Sequence, residues 1–174
     1  MSTTVPAEIP TTGTWRIDTV HSTATFSVKH LKVATFRGHF HEVSGALVDG
    51  ELSGTVETQH IDVGMLAMFK EHLLGADWFD AEKYPTLSFK STDLHAHDGH
   101  LHAAGELTIK GVTKPVDITG TVVGPLEVIG ARGPHQRLGL NLSTTVNRRE
   151  FNLVGEGGAH DEVTIDVSLA LILA

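Results

Sequence analysis

Residues 163–171 read Val163-Thr164-Ile165-Asp166-Val167-Ser168-Leu169-Ala170-Leu171. Large apolar side chains occupy every odd position and polar or small ones every even position. That is the period of a strand with one face in a core and the other in water. The pattern recurs upstream. In Ala24-Thr25-Phe26-Ser27-Val28-Lys29 the even positions are apolar, and Thr35 to Phe40 places Phe36, Gly38 and Phe40 on one face. Leu87 and Phe89, Leu107 and Ile109, and Leu140 and Leu142 repeat it.

Turn chemistry separates these runs. Asp49-Gly50 and Asp98-Gly99 are two-residue hairpin signals, because such turns need positive φ and glycine accepts it. Gly111-Val112-Thr113-Lys114-Pro115 reads as a longer turn. Gly124-Pro125 and the stretch from Gly130 to Gly133-Pro134 read as breaks in the C-terminal half. About eight to ten strands result, joined by short connections and therefore antiparallel. The fold class is all-β, and eight such strands close into a barrel wide enough for side chains or one small ligand.

One segment departs from the pattern: Asp62 to Phe89, DVGMLAMFKEHLLGADWFDAEKYPTLSF. Met65, Leu66, Phe69, Leu73 and Leu74 recur at helical spacing, with Lys70 and Glu71 on the other face. Asp62 is read as the N-cap and Gly75 as the C-cap of a single short amphipathic helix. Tyr84-Pro85 returns the chain to an extended strand. A helix this short is held by packing its apolar face, so it is expected near the barrel mouth, as a plug or as the lid of a cavity.

Composition narrows the function. The chain has 174 residues, 40% apolar and 20% charged, with a net charge of −8 and no cysteine. Scattered acidic residues argue against nucleic acid and anionic membranes as partners. The missing thiols exclude disulfides, thiolate nucleophiles and cysteine-based zinc sites. No apolar run is long enough for a membrane-spanning helix. The opening MSTTVPAEIPTTGTW lacks the basic and apolar regions of a secretory signal, so the expectation is a cytoplasmic protein. Residues 1–13 read as a flexible arm and 14–174 as one domain.

Several blocks resemble, in order, the YceI-like family of lipocalin-like barrels associated with polyisoprenoid binding. They are Asp18-Thr19-Val20-His21-Ser22, Phe26-Ser27-Val28-Lys29-His30, Gly38-x-Phe40 and Gly45. The densest runs from Asp77-Trp78-Phe79-Asp80 through Tyr84-Pro85-Thr86-Leu87 to Ser91. Gly105 to Val116 and Val146-Asn147-Arg148-Arg149-Glu150-Phe151 complete the set. The resemblance spans roughly residues 14–174. It implies an eight-stranded antiparallel barrel with a long apolar tunnel and a helix beside its mouth. The chain departs from the family's usual Phe-Gly-Leu at Phe151-Asn152-Leu153, and many relatives resemble secreted periplasmic proteins.

A polyprenyl tail offers almost no hydrogen bonds, so its site needs length and dryness. Alternation supplies an inward stripe of Phe26, Val28, Phe36, Phe40, Leu87, Phe89, Leu107 and Ile109, which Leu66, Phe69, Leu73, Trp78 and Phe79 would close over. His30 shares parity with Phe26 and Val28 and would meet a head group at the barrel end. The expected function is non-catalytic binding or carrying of a polyisoprenoid or isoprenoid quinone-type lipid, with no cofactor required. A homodimer would form through the exposed edge or the mouth.

Twelve histidines are present, four of them in His95-Ala96-His97-Asp98-Gly99-His100-Leu101-His102. A turn at Asp98-Gly99 pairs His97 with His100 and His95 with His102 on one face, with opposite Cβ atoms about 5 Å apart. This suits zinc, copper or nickel, so a metal-buffering module is one alternative function. A structural or stress-response protein without a ligand is another. No nucleophile elbow, phosphate loop or dinucleotide fingerprint is present, and no catalytic residues are assigned.

Overall fold

The computed structural model describes residues 7–64 and 67–174. The strands are β1 (Thr14–Ile17), β2 (Thr23–His30), β3 (Ala34–Phe40), β4 (Ser44–Val48), β5 (Glu51–Glu57), β6 (Ile61–Asp62), β7 (Thr86–His97), β8 (His100–Ile109), β9 (Val112–Gly130), β10 (Gly133–Asn147) and β11 (Ala159–Leu173). Among the described residues there is one α-helix, α1 (Ala67–Leu74), and two short 3-10 turns.

All strand pairs are antiparallel. The ring β1-β4-β5-β7-β8-β9-β10-β11 closes by pairing β11 back onto β1. Strands β2, β3 and β6 continue the same wall upward. β1 and β2 are two pieces of one wall position, both paired with β11, and β3 and β4 are likewise split by residues 41–43. The architecture is thus the closed eight-stranded antiparallel barrel that the family resemblance implies.

Both Asp-Gly turns have the expected form, with φ of 48° and 88° at Asp49-Gly50 and 49° and 79° at Asp98-Gly99. Two expectations fail. The turn at Gly111 is tight, not long: Lys110 and Gly111 take φ of 51° and 73°, and β9 begins at Val112. Nor does Gly124-Pro125 interrupt a strand. β9 runs through it for 19 residues, absorbing the irregularity as a register shift against Arg137 and Gly139 of β10. A bulge tolerates the missing proline N–H that a regular ladder would not.

The described part of the helix is Ala67–Leu74, and Met65 and Leu66 of its pattern lie outside the described residues; the Asp62 carboxylate accepts the Gly64 N–H in a local turn. Gly75 is not a left-handed cap. The chain winds on: the N–H groups of Phe79 and Ala81 satisfy the Leu73 and Leu74 carbonyls, and Asp80 takes the positive φ. This second turn seats Trp78 and Phe79 in the core. Of the arm, residues 7–13 are described: Ala7 bridges Gly124, and Gly13 exchanges hydrogen bonds with Asp49.

Closure occurs where β11 changes partner. It pairs with β2 as far as Ser168↔Thr23 and with β1 from Leu171↔Ile17. Between them Ala170 faces the break at residues 18–22. Its N–H donates to Ser22 Oγ (3.0 Å) and its carbonyl accepts the Asp18 N–H (2.8 Å). The Asp18 carboxylate accepts from Arg137 Nη1 (2.9 Å), His21 Nδ1 (2.8 Å) and the Val20 N–H (3.1 Å). Asp18 is only 11% exposed. Burial alone raises its pKa, but the hydrogen bonds from His21, Arg137 and Val20 outweigh it and hold the group at about 2 instead of 3.8. A depressed carboxyl stabilises the fold fully above the unfolded value and loses that contribution as pH falls through the folded one. Asp18→Asn should therefore cost up to about 2 kcal/mol near neutral pH. In urea melts its deficit against the parent should shrink between pH 3.8 and about 2; a deficit that does not change with pH there contradicts this assignment.

Candidate functional site: an apolar lumen under a short helix

The lower half of the barrel is solid. Trp15, Leu47, Leu101, Leu138, Leu140 and Leu171 fill it and are almost wholly buried. The upper half is hollow, with a cavity of about 600 Å³. Phe26, Val28, His30, Phe36 and Phe40 line it from β2 and β3, Leu87 and Phe89 from β7, and Leu107 and Ile109 from β8. Phe69 and Leu73 reach it from α1, and Trp78 and Phe79 from the turn that follows. Leu66 lies outside the described residues. The rest of the wall, from β9, β10 and β11, comprises Val116, Ile118, Leu142, Val146, Val163, Ile165, Val167 and Leu169. These were not singled out from the sequence, although the alternation of β10 and β11 already placed several of them on the inner face.

An eight-stranded barrel leaves an interior that side chains ordinarily fill. Here glycine keeps it open. Phe26 stands opposite Gly38 on the neighbouring strand, and its ring lies over the glycine where a Cβ would collide with it. The Phe89 ring occupies the equivalent space at Gly105. Each ring lies back against wall that has no side chain of its own. The Phe26 ring also meets Phe36, Phe40 and Phe79, at centroid distances of 6.0, 5.9 and 6.4 Å.

Above Gly38, β3 pairs with β2 on one side, and no strand among the described residues pairs with its other edge. The helix occupies this gap. Phe69 packs edge-on against Phe36 at 4.9 Å, and Phe79 against Phe40 at 5.7 Å. α1 is therefore a piece of wall at the mouth.

Polar groups gather at that mouth. His30 Nε2 lies 2.9 Å from the Gly157 carbonyl; a carbonyl only accepts, so Nε2 carries the proton and the neutral ring's Nδ1 is an acceptor. His72 Nε2 accepts the Trp78 indole N–H at 3.1 Å, which places its own proton on Nδ1. Arg148, 4% exposed, donates to the carbonyls of Leu153, Gly155, Ala159 and His160 and stacks over Trp78 at 5.0 Å. Burial, and the neighbouring Arg149, lower its pKa below the usual guanidinium value. Its donors are spent on the loop between β10 and β11, so it braces that loop instead of presenting a charge to the lumen. Asn147 accepts the Arg149 N–H, and Asn152 adopts a left-handed φ of 60°. Asparagine tolerates that conformation, so the turn forms here without glycine.

The histidine hairpin has the expected register, His97↔His100 and His95↔His102. The His95 and His102 rings stack at 5.8 Å. His95 instead contacts Asp93, and His97 contacts Asp98, each at 3.3 Å. No three histidine, aspartate or glutamate side chains converge on one point among the described residues. The four imidazoles foreseen as a metal site stand on the exposed face of the sheet, which holds its side chains parallel and not convergent.

Comparison with known proteins agrees with this geometry. A UPF0312 protein of Pseudomonas putida is 26% identical over 158 residues, covering 86% of this chain and 80% of the relative. A UPF0312 protein of Pseudomonas aeruginosa is 29% identical over 157 residues, with the same coverage. Among solved structures, Burkholderia cenocepacia BcnA superposes with a TM-score of 0.72 at 24% identity, covering 88% of this chain and 98% of that one. A polyisoprenoid binding domain from Saccharophagus degradans superposes with a TM-score of 0.72 at 13% identity, covering 92% and 98%. At those identities the structures establish the shared fold alone. The YceI-like domain model matches residues 15–171, nearly the whole barrel, and the chain belongs to the YceI-like domain family.

Proposed function

We propose that this protein is a non-catalytic carrier that holds a long apolar lipid, a polyisoprenoid or isoprenoid quinone-type molecule, in the barrel lumen. The observation that carries this reading is the cavity of about 600 Å³ in the upper barrel, walled by aliphatic and aromatic side chains. That volume lies within the range of small-molecule sites. The histidines that line it, His30 and His72, stand near the mouth, as suits a ligand with a long apolar tail and a small polar head. The name of the Saccharophagus degradans domain supports the same ligand class.

Energetics favour such a ligand. Burying a CH₂ contributes about 0.8 kcal/mol, so a five-carbon unit gives about 4 kcal/mol gross. Lost rotational and translational freedom offsets part of this, which selects for chains of several units. A ligand rich in hydrogen-bonding groups would leave them unpaired against Phe26, Val163 and Ile165, at a cost of about 1–3 kcal/mol each. The head end would meet His30, whose Nδ1 is a ready acceptor for a hydroxyl.

Native mass spectrometry after incubation with a polyprenol, followed by organic extraction, tests the reading. One bound chain per barrel is expected; a protein that takes up none contradicts it. Gly38→Ala gives a sharper test, because its methyl group displaces only the Phe26 ring, into the lumen. Uptake should fall about tenfold, the cost of losing roughly two buried CH₂ contacts. The double variant Gly38→Ala/Phe26→Leu should regain much of it by restoring the space. Unchanged uptake in Gly38→Ala would place the ligand elsewhere.

A further inference from the structure

Three large apolar side chains stand in water beside the mouth: Leu31, 63% exposed, Val33, 87%, and Met68, 83%. Single exposed apolar residues are ordinary on any surface. These three share a place. Leu31 and Val33 form the turn between β2 and β3, flanked by His30 and Ala34, which line the cavity. Met68 precedes Phe69, whose ring packs on Phe36 across the gap from that same turn.

The turn is built in an unusual way. Leu31 and Lys32 both take left-handed φ, 51° and 63°, a conformation in which glycine or asparagine is the ordinary choice. The Leu31 N–H donates to the Gly158 carbonyl (2.9 Å) and the Val33 N–H to the His30 carbonyl (3.2 Å). Backbone bonds from the mouth loop thus hold the turn in a conformation that its residues disfavour. Barrel closure does not explain the choice of side chains, since Val33 and Lys32 leave the surface for water. Strain of this kind, held by surrounding structure, concentrates at functional positions.

We infer that the rim formed by Leu31, Val33 and Met68 is a docking surface for a lipid bilayer, through which the lumen exchanges its ligand. This rests on the reading of the lumen as a lipid site. A polyprenyl chain crossing open water would expose all the apolar surface that its burial removes. A mouth pressed into the headgroup layer, with its rim in the acyl boundary, gives the chain a continuous apolar path from bilayer to Phe36 and Phe69. Lys32 sits in the turn itself and Lys29 bonds Thr35 beside it (3.0 Å); such stems can follow the apolar face while the ammonium groups reach lipid phosphates. Glu71 and Glu156 stand in the same region, and the chain carries a net charge of −8. The partner is accordingly a zwitterionic bilayer, bound through apolar insertion, rather than a strongly anionic one.

Val33→Ser/Met68→Ser tests this with little risk to the fold, because both side chains are exposed. The full-length parent and variant are mixed with phosphatidylcholine vesicles containing a polyprenol, and loading is followed over time. In parallel, each is loaded from detergent micelles. The variant should load from vesicles about tenfold more slowly, in proportion to the apolar contact removed, and should reach the same final loading from micelles. The parent rate should rise with vesicle concentration, as a collisional transfer does. Equal vesicle rates for parent and variant, with normal loading from micelles, overturn the rim and leave the lumen reading intact. A parent that takes nothing even from micelles overturns both. A concentration-dependent dimer that the variant dissolves, with no change in vesicle rate, would instead make the rim an interface between two copies.

Discussion

The change of partner along β11 is the constraint from which the rest follows. One fifteen-residue strand keeps β10 on one edge and divides the other between β2 and β1. Without that exchange the sheet has two open edges and no interior. At the point of exchange both backbone groups of Ala170 need partners outside the regular ladder, and Ser22 and Asp18 supply them. Arg137 then ties the break to β10. The break divides the β1/β2 position, and residues 41–43 divide β3/β4 alongside it. The upper β2–β3 hairpin is left with one strand-paired edge only, and α1 fills the gap beside it. The mouth is thus a consequence of how the barrel closes.

The two halves of the interior differ for the same physical reason. In the floor, leucines from facing strands interdigitate and exclude even water, as cores normally do. In the upper half, the largest side chains are aromatic and two of them lie on glycine. A ring folded against bare backbone lines the wall with apolar surface and takes little space from the centre. Hollowing a protein usually forfeits dispersion contacts and costs stability. The clustered rings of Phe26, Phe36, Phe40, Phe69 and Phe79 recover part of this by packing on one another. An apolar cavity of this size matches a ligand of the same chemistry. Among the described residues no helix is long and apolar enough to cross a membrane.

Much of this was legible in the residues. Alternation identified the strands and the inward set, because a period of two leaves no choice of face once one member is buried. The Asp-Gly turns announced themselves by chemistry. What was hidden depended on distant partners. Nothing near Asp18 reveals that Arg137, 119 positions away, holds it. Nothing near Arg148 reveals four converging carbonyls. Gly124-Pro125 read as a break because a bulge is a property of two strands, and the local sequence shows one. The histidine hairpin was paired correctly and still forms no metal centre, since register fixes which residues are neighbours and not whether their rings converge. Gly38 and Gly105 were visible as letters, but their use as seats for aromatic rings appears only in three dimensions.

The central claim is that the upper lumen is an open, dry channel kept clear by Phe26 and Phe89 lying on Gly38 and Gly105. A crystal structure of the protein after incubation with a polyprenol tests it most directly. The account predicts continuous elongated density, with the methyl branches of an isoprenoid chain, running from His30 down past Phe26, Phe89 and Ile165 to the leucine floor, with both rings still on their glycines. A lumen filled by ordered water, or closed by Phe26 and Phe89 swung into its centre, would contradict it.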